Sequence, residues 1–341
     1  MAAAQLPCAP ISCYARRAPP PRRPTPKANL MLLIFESVLP IFLLVLLGLL
    51  LKRWPRIDDS LWVGLEQFGY YVLFPALLFL TLSKADFSTM DTGAVSATAL
   101  VSVGIMSALV LALWRPLHRL GLEGPAFTSI FQTATRWNGF MALAIAEKLS
   151  GPVGLTAVAV VMAAIIIPLN VINVGVLIWF SGNGRKLKDF ALKIVSNPII
   201  LGAASGVLVN LAGITVYDPL MMAVDLVARS SLGLGLIMVG AGLRIMDALK
   251  PQPNVILGSV LKLLVFPAVM AGVALLFGVE GETLAMLVLS AAVPTAMNGY
   301  LLAKQMGGDA PLYAATATVQ TVAAVFTIPL ALYLVGQVAA G

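Results

Sequence analysis

The chain has 341 residues, 60% of them hydrophobic and 11% charged, with a mean hydropathy of +0.95; a soluble domain is about 45–50% apolar and about 25% charged. This excludes a soluble globular protein and indicates one that lives in a lipid bilayer. The net charge of +7 does not point to nucleic acid, because the basic residues gather in short connections between apolar segments.

Two cysteines, Cys8 and Cys13, and one histidine, His118, support neither a disulfide framework nor a metal site. His118 lies beside Arg115 and Arg119 and reads as a solvated loop residue.

Residues 1–30 differ from the rest, with seven prolines, five basic residues and no acid. They read as a transit peptide, a disordered tail or a segment upstream of the true start at Met31, and the last is favoured. From Met31 onward ten apolar spans are expected: 31–51, 60–82, 92–114, 125–149, 153–180, 191–212, 218–242, 254–278, 283–304 and 311–338. Each reaches the roughly 20 residues that a helix needs to cross a bilayer. The connections are too short for a soluble catalytic module. No phosphate-binding glycine loop or nucleophile–base pair occurs, so neither a cofactor nor an enzyme is expected.

The odd-numbered connections hold twelve lysines and arginines, against Lys84 and Lys148 in the even-numbered ones. The positive-inside rule places the odd connections in the cytoplasm and both termini outside, in a multi-pass protein of the inner or plasma membrane.

The fourth and ninth spans carry an unusual centre. Arg136-Trp137-Asn138-Gly139-Phe140 and Pro294-Thr295-Ala296-Met297-Asn298-Gly299-Tyr300 share an Asn-Gly-aromatic triplet 160 positions apart. Asn is costly in hydrocarbon, and Gly and Pro weaken a helix, so such centres belong where the backbone lines a protein interior. Other pairs keep a similar offset of 158–161: Pro40 with Pro198, Gly48 with Gly206, Glu66 with Asp225, and Pro168 with Pro329. The halves 31–180 and 191–338 therefore read as a repeat. Each holds five spans, an odd number, so the second inserts upside down, as in many secondary transporters.

Phe68-Gly-Tyr-Tyr-Val-Leu-Phe-Pro-Ala-Leu-Leu-Phe79, Asn197-Pro198-Ile-Ile, Leu234-Gly-Leu-Ile-Met-Val-Gly-Ala-Gly-Leu243 and the run from Pro294 to Asp309 resemble the auxin efflux carrier family. That family spans plant auxin exporters and bacterial permeases, some assigned to malonate and malate. The resemblance implies an all-α membrane fold of ten helices in two inverted five-helix repeats, with helices four and nine broken and crossing. It further implies a scaffold of 31–82 and 191–242, a moving bundle of 92–180 and 254–338, and a homodimer formed through the scaffold. Helix four lacks the proline that plant members carry at the break, so its interruption rests on Asn138-Gly139. Arg136 is a second departure from the plant pattern, and the long cytoplasmic loop of some plant exporters is missing. These differences argue against auxin itself as the substrate.

A small organic anion is the expected partner. Broken helices leave backbone N–H groups unpaired and a partial positive charge at the start of each second half. Asn138 and Asn298 both donate and accept hydrogen bonds, and Gly139, Pro294 and Gly299 shape the breaks. Arg136 pairs with a second carboxylate, or else pins the crossing through backbone carbonyls or Glu147. Lys262, Asp225 and Arg229 are coupling or structural charges. Asp225 and Arg229 read as an i,i+4 ion pair, and Lys262 as a coupling group or a snorkelling side chain. Glu66 lies where it can snorkel. Asn170, Asn173, Gln320 and Thr321 are placed to face the crossing.

A carrier working by alternating access is the leading expectation. A cation–proton antiporter of related fold needs acids at the crossing, and spans four, five, nine and ten have none near their centres. A receptor or scaffold that binds without transporting is the second rival.

Overall fold

In the computed structural model, residues 27–87, 90–181, 198–249 and 252–338 are described, and every regular element among them is helical. What the sequence leads one to expect of residues 1–26 and 191–197 therefore lies outside the described residues. Helix α1 (Lys27–Lys52) starts upstream of the expected boundary at Met31. It is followed by α2 (Asp59–Ser83), α3 (Thr92–Ala112), the short α4 (Trp114–Arg119) and α5 (Gly124–Thr135). His118 thus belongs to a helix, stacked on Trp114 at 4.6 Å with Nδ1 3.0 Å from the Leu122 carbonyl.

The run Gly139–Ser181, labelled α6, is two helices meeting at Gly151, whose φ of 55° only glycine adopts without strain. The second half of the chain gives α7 (Pro198–Leu211), α8 (Asp218–Ala241), the single turn α9 (Ile245–Ala248), α10 (Pro253–Leu276), α11 (Gly281–Ala292), α12 (Asn298–Met306) and α13 (Ala310–Val338).

Among the described residues seven stretches are long and apolar enough to cross a membrane, rather than ten. The difference has a physical origin. Gly124–Phe180 counts as one stretch of 57 residues, about 85 Å if straight at 1.5 Å per residue, far more than the roughly 30 Å core of a bilayer. It is folded at 136–138 and again at Gly151. Pro198–Leu211 and Gly281–Ala292 are apolar but short.

Two helices carry a wide π turn, Gly69–Leu73 in α2 and Leu261–Val265 in α10. Each precedes a Phe-Pro pair, Phe74-Pro75 and Phe266-Pro267. Proline brings no N–H and crowds the carbonyl one turn back, and a π turn relieves both effects without ending the helix.

Helix α1 packs along α8, and the second half of α2 along α7. Both contacts rest on glycine. A Cβ at Gly48 would overlap the Ile237 carbonyl, and one at Gly206 would come within 2.7 Å of the Phe79 carbonyl. With no hydrophobic drive between helices in lipid, such close backbone approach is what holds them. Gly206 lies 158 positions after Gly48, and Ile237 lies 158 after Phe79. The remaining long helices, α3, α5, α6, α10, α11 and α13, pack mainly on one another.

Candidate functional site

The interruptions stand where the two Asn-Gly motifs do. Helix α5 ends at Thr135, and Arg136 takes extended backbone with ψ 158°. Helix α11 ends at Ala292, and Val293 does the same with ψ 148°. The Asn138 amide then donates to the Pro294 carbonyl at 2.8 Å, joining one break directly to the other through main chain.

Neither glycine of the triplets is the break itself. Gly139 and Gly299 are helical, and neither has positive φ. They provide clearance. A Cβ at Gly139 would lie 2.9 Å from the Phe74 ring, and one at Gly299 would overlap the Tyr313 hydroxyl. The interruption of helix four therefore falls on Arg136-Trp137-Asn138, not on Asn138-Gly139.

Asn138 is buried and caps the next helix, its Oδ1 accepting from the Met141 amide at 3.2 Å. This is the ordinary N-cap role of asparagine. Asn298 opens α12 on the other break; its side chain lies outside the described residues.

Arg136 is 5% exposed. Its Nε donates to Gln132 Oε1 at 3.2 Å and one Nη to Asn170 Oδ1 at 3.3 Å. The other Nη is buried with no partner, as is Gln132 Nε2. Two neutral oxygens orient the guanidinium without neutralising it. The expected alternatives of backbone carbonyls or Glu147 are not what holds it, and Glu147 is exposed at the far end of its helix.

Gln320 ties the other break. Its Oε1 accepts from the Thr295 amide at 3.0 Å, while its Nε2 donates to the Thr133 and Gly258 carbonyls, both at 3.1 Å. Two backbone groups freed by helix ends, the Thr295 amide and the Thr133 carbonyl, thus find partners, as burial in a membrane protein demands, and the Gly258 carbonyl, which also accepts from the Leu261 amide, gains a second bond. Tyr313 completes this side, donating to the Ala296 carbonyl at 2.6 Å with Thr295 Oγ1 at 3.0 Å. Asn173 also reaches the first break, its Oδ1 3.2 Å from Thr135 Oγ1. Thr321 turns to its own helix and bonds the Ala317 carbonyl.

The other predicted charges lie elsewhere. Arg229 Nε meets Asp225 Oδ2 at 2.6 Å, one turn apart on α8. With Lys84, Glu147 and Thr156 they line a cavity of about 400 Å³ between α2, α6 and α8. A second cavity of about 290 Å³ lies between α3, α6 and α7. Neither is lined by Arg136, Asn138 or residues 294–299. Glu66 is exposed. Lys262 does not snorkel: it is fully buried, with Nζ 4.5 Å from the centre of the Phe266 ring. The reason is helix phase, since Ile256, Val260 and Leu264 hold the exposed face of α10.

Among the described residues the buried charged side chains are Arg136 and Lys262, both cations. Gln132 and Tyr313 escaped the sequence reading. Gln132 had a signal, standing one turn before Arg136 on the same helix face. Tyr313 had none, because a tyrosine in an apolar span is ordinary.

Helices of this length, packed around an interrupted, polar and cationic centre, define a multi-pass membrane protein. The family model for membrane transport proteins matches residues 33–332, and the chain belongs to that family, as its likeness to the auxin efflux carriers implied. It is 26% identical over 301 residues to an uncharacterized transporter of Methanothermobacter thermautotrophicus, covering 86% of this chain and 96% of that one. It is 21% identical over 308 residues to the uncharacterized transporter YfdV of Escherichia coli, covering 87% of this chain and 96% of that one.

Proposed function

We propose that the protein is a secondary carrier for a small organic anion, a carboxylate of the malonate or malate kind or an aromatic acid, working by alternating access. One observation carries this reading. Arg136 is a buried cation at the junction of two broken helices, held by neutral oxygens, with one Nη left unpartnered. A charge in mid-membrane costs at least about 2.5–3.5 kcal/mol on insertion scales, and an anion arriving there offsets that cost. The Asn138 side-chain amide and the amides opening the second half-helices add donors without adding fixed charge. A cation carrier needs acids at this point, and among the described residues no buried acid occurs.

The burial of Arg136 and Asn138 implies that the substrate reaches them only when helices part. The matched contacts Gly48–Ile237 and Gly206–Phe79 support two inverted five-helix halves, with α1, α2, α7 and α8 as the standing part and the remaining long helices as the moving one.

Proteoliposomes should take up a labelled dicarboxylate or aromatic acid from a panel tested at two pH values, with and without sodium. Arg136→Gln, Asn138→Ala and Asn298→Ala should each abolish that uptake while the protein still elutes as a folded species. Normal uptake by all three variants would remove the site assignment. A ligand that binds with no flux would favour a receptor.

A further inference from the structure

Lys262 is the second buried cation, and the site described above does not use it. Among the described residues its Nζ has no hydrogen-bond partner, and it lies over the ring of Phe266. A single aromatic face offsets only part of the penalty for burying an unpaired ammonium. The ring therefore does not hold a permanent charge here.

No neighbouring acid does so either. The π turn that carries Lys262 packs against α5, α11 and α13 as well as its own helix. Helix α5 and the rest of α10 hold no titratable side chain. Helix α11 brings Glu282, exposed in its first turn. Helix α13 brings Tyr333 and Tyr313, the latter already bonded to Ala296 and Thr295. Arg136 follows α5 directly, a like charge.

The lysine is also tied to the crossing. One turn before it, the Gly258 carbonyl accepts from Gln320, whose other bonds hold Thr133 beside the first break and Thr295 in the second. A Cβ at Gly258 would come within 3.0 Å of both Thr133 and Thr316. Any parting of the two breaks is therefore felt by the helix that carries Lys262.

We infer that Lys262 carries the proton that accompanies the substrate. Its neutral amine takes a proton from hydronium at the loading side, leaving water, when an anion occupies the crossing. It returns that proton to water when the anion departs. The bound anion supplies the negative charge that the ammonium lacks, so the two load and unload together. This rests on the anion-carrier reading and adds its coupling ion.

The test uses the full chain in proteoliposomes with labelled malonate as probe and entrapped pyranine to report protons. Wild type should accumulate malonate toward the alkaline side by up to about tenfold per unit of pH gradient, the limit for one proton per anion, with acidification of the lumen. Lys262→Met should keep malonate–malonate exchange within about threefold of wild type, a change below 1 kcal/mol, and lose gradient-driven accumulation. Lys262→Arg, permanently charged, should lose it as well. Lys262→Met replaces a buried amine that has no hydrogen-bond partner by an apolar side chain of similar length and should melt no lower than wild type, so a folding defect is not the expected cause of the loss. Gradient-driven accumulation by Lys262→Met equal to wild type would overturn the inference while leaving the carrier reading intact. No malonate exchange in wild type would overturn malonate-type dicarboxylates as the substrate class, and the inference drawn for them with it.

Discussion

Gln320 shows how much of the crossing hangs on single side chains. It is fully buried and serves three backbone groups on three helices or breaks. Gln320→Leu keeps the volume and strands the buried Thr295 N–H and the Thr133 carbonyl, while the Gly258 carbonyl keeps the Leu261 amide. Each orphan costs about 1–3 kcal/mol, so the variant should show a clearly lower melting temperature in detergent, whatever its transport. An unchanged melt would mean that water replaces the amide. Arg136 was visible in the sequence because an arginine in mid-span is expensive and needs a reason. Gln320 was visible as a polar residue in an apolar span, but its three bonds were not, since nothing in periodicity tells which helix a side chain meets. Lys262 stood in the sequence between a coupling group and a snorkelling side chain, and the structure removes the second. The π turn and the phase of its neighbours bury it, and neither is written in local hydropathy.

At the scale of the element, the glycines divide by what surrounds them. On α8 a Cβ at Gly240 would overlap the Val45 carbonyl, and one at Gly235 the Phe140 ring, whereas at Gly233 nothing lies within 4 Å. Gly240→Ala should destabilise by about 1–3 kcal/mol through overpacking and disturb α1. Gly233→Ala should be neutral or slightly stabilising, since alanine is the better helix former. Thermal melts of the two variants side by side would check this, and equal behaviour would contradict the α1–α8 packing. The positions of the two breaks were legible because Asn, Gly and Pro coincide in apolar spans. Which residue breaks the helix was not. Gly139 and Gly299 look like breakers, yet they are clearance for Phe74 and Tyr313, a tertiary fact that no local preference records.

For the whole molecule, the proposed arrangement makes a prediction about sidedness. Basic connections at 52–56, 115–119 and 304 face the cytoplasm in that reading, and Lys84 faces outward. In a background lacking Cys8 and Cys13, Arg119→Cys in intact cells should be shielded from an impermeant thiol reagent, and Lys84→Cys should be labelled. The reverse pattern would invert the protein and the direction assigned to every step. Span limits were legible to within a few residues over most of the chain because hydropathy and length set them. The joint at Gly151 falls in the connection expected between spans 125–149 and 153–180, at a Gly-Pro pair; that it is a one-residue joint rather than a loop was not legible, because its φ is set by the packing of the two helices it joins.

The bond from the Asn138 amide to the Pro294 carbonyl has a consequence for engineering. A stitch made of main chain is blind to the identity of its neighbours. On the proposed reading, side chains bordering it, such as Gln132, Asn170 and Trp137, are the ones to exchange for a longer, bulkier or more aromatic acid, since none of them carries the seam itself. A library confined to those positions would explore new preferences on an intact hinge.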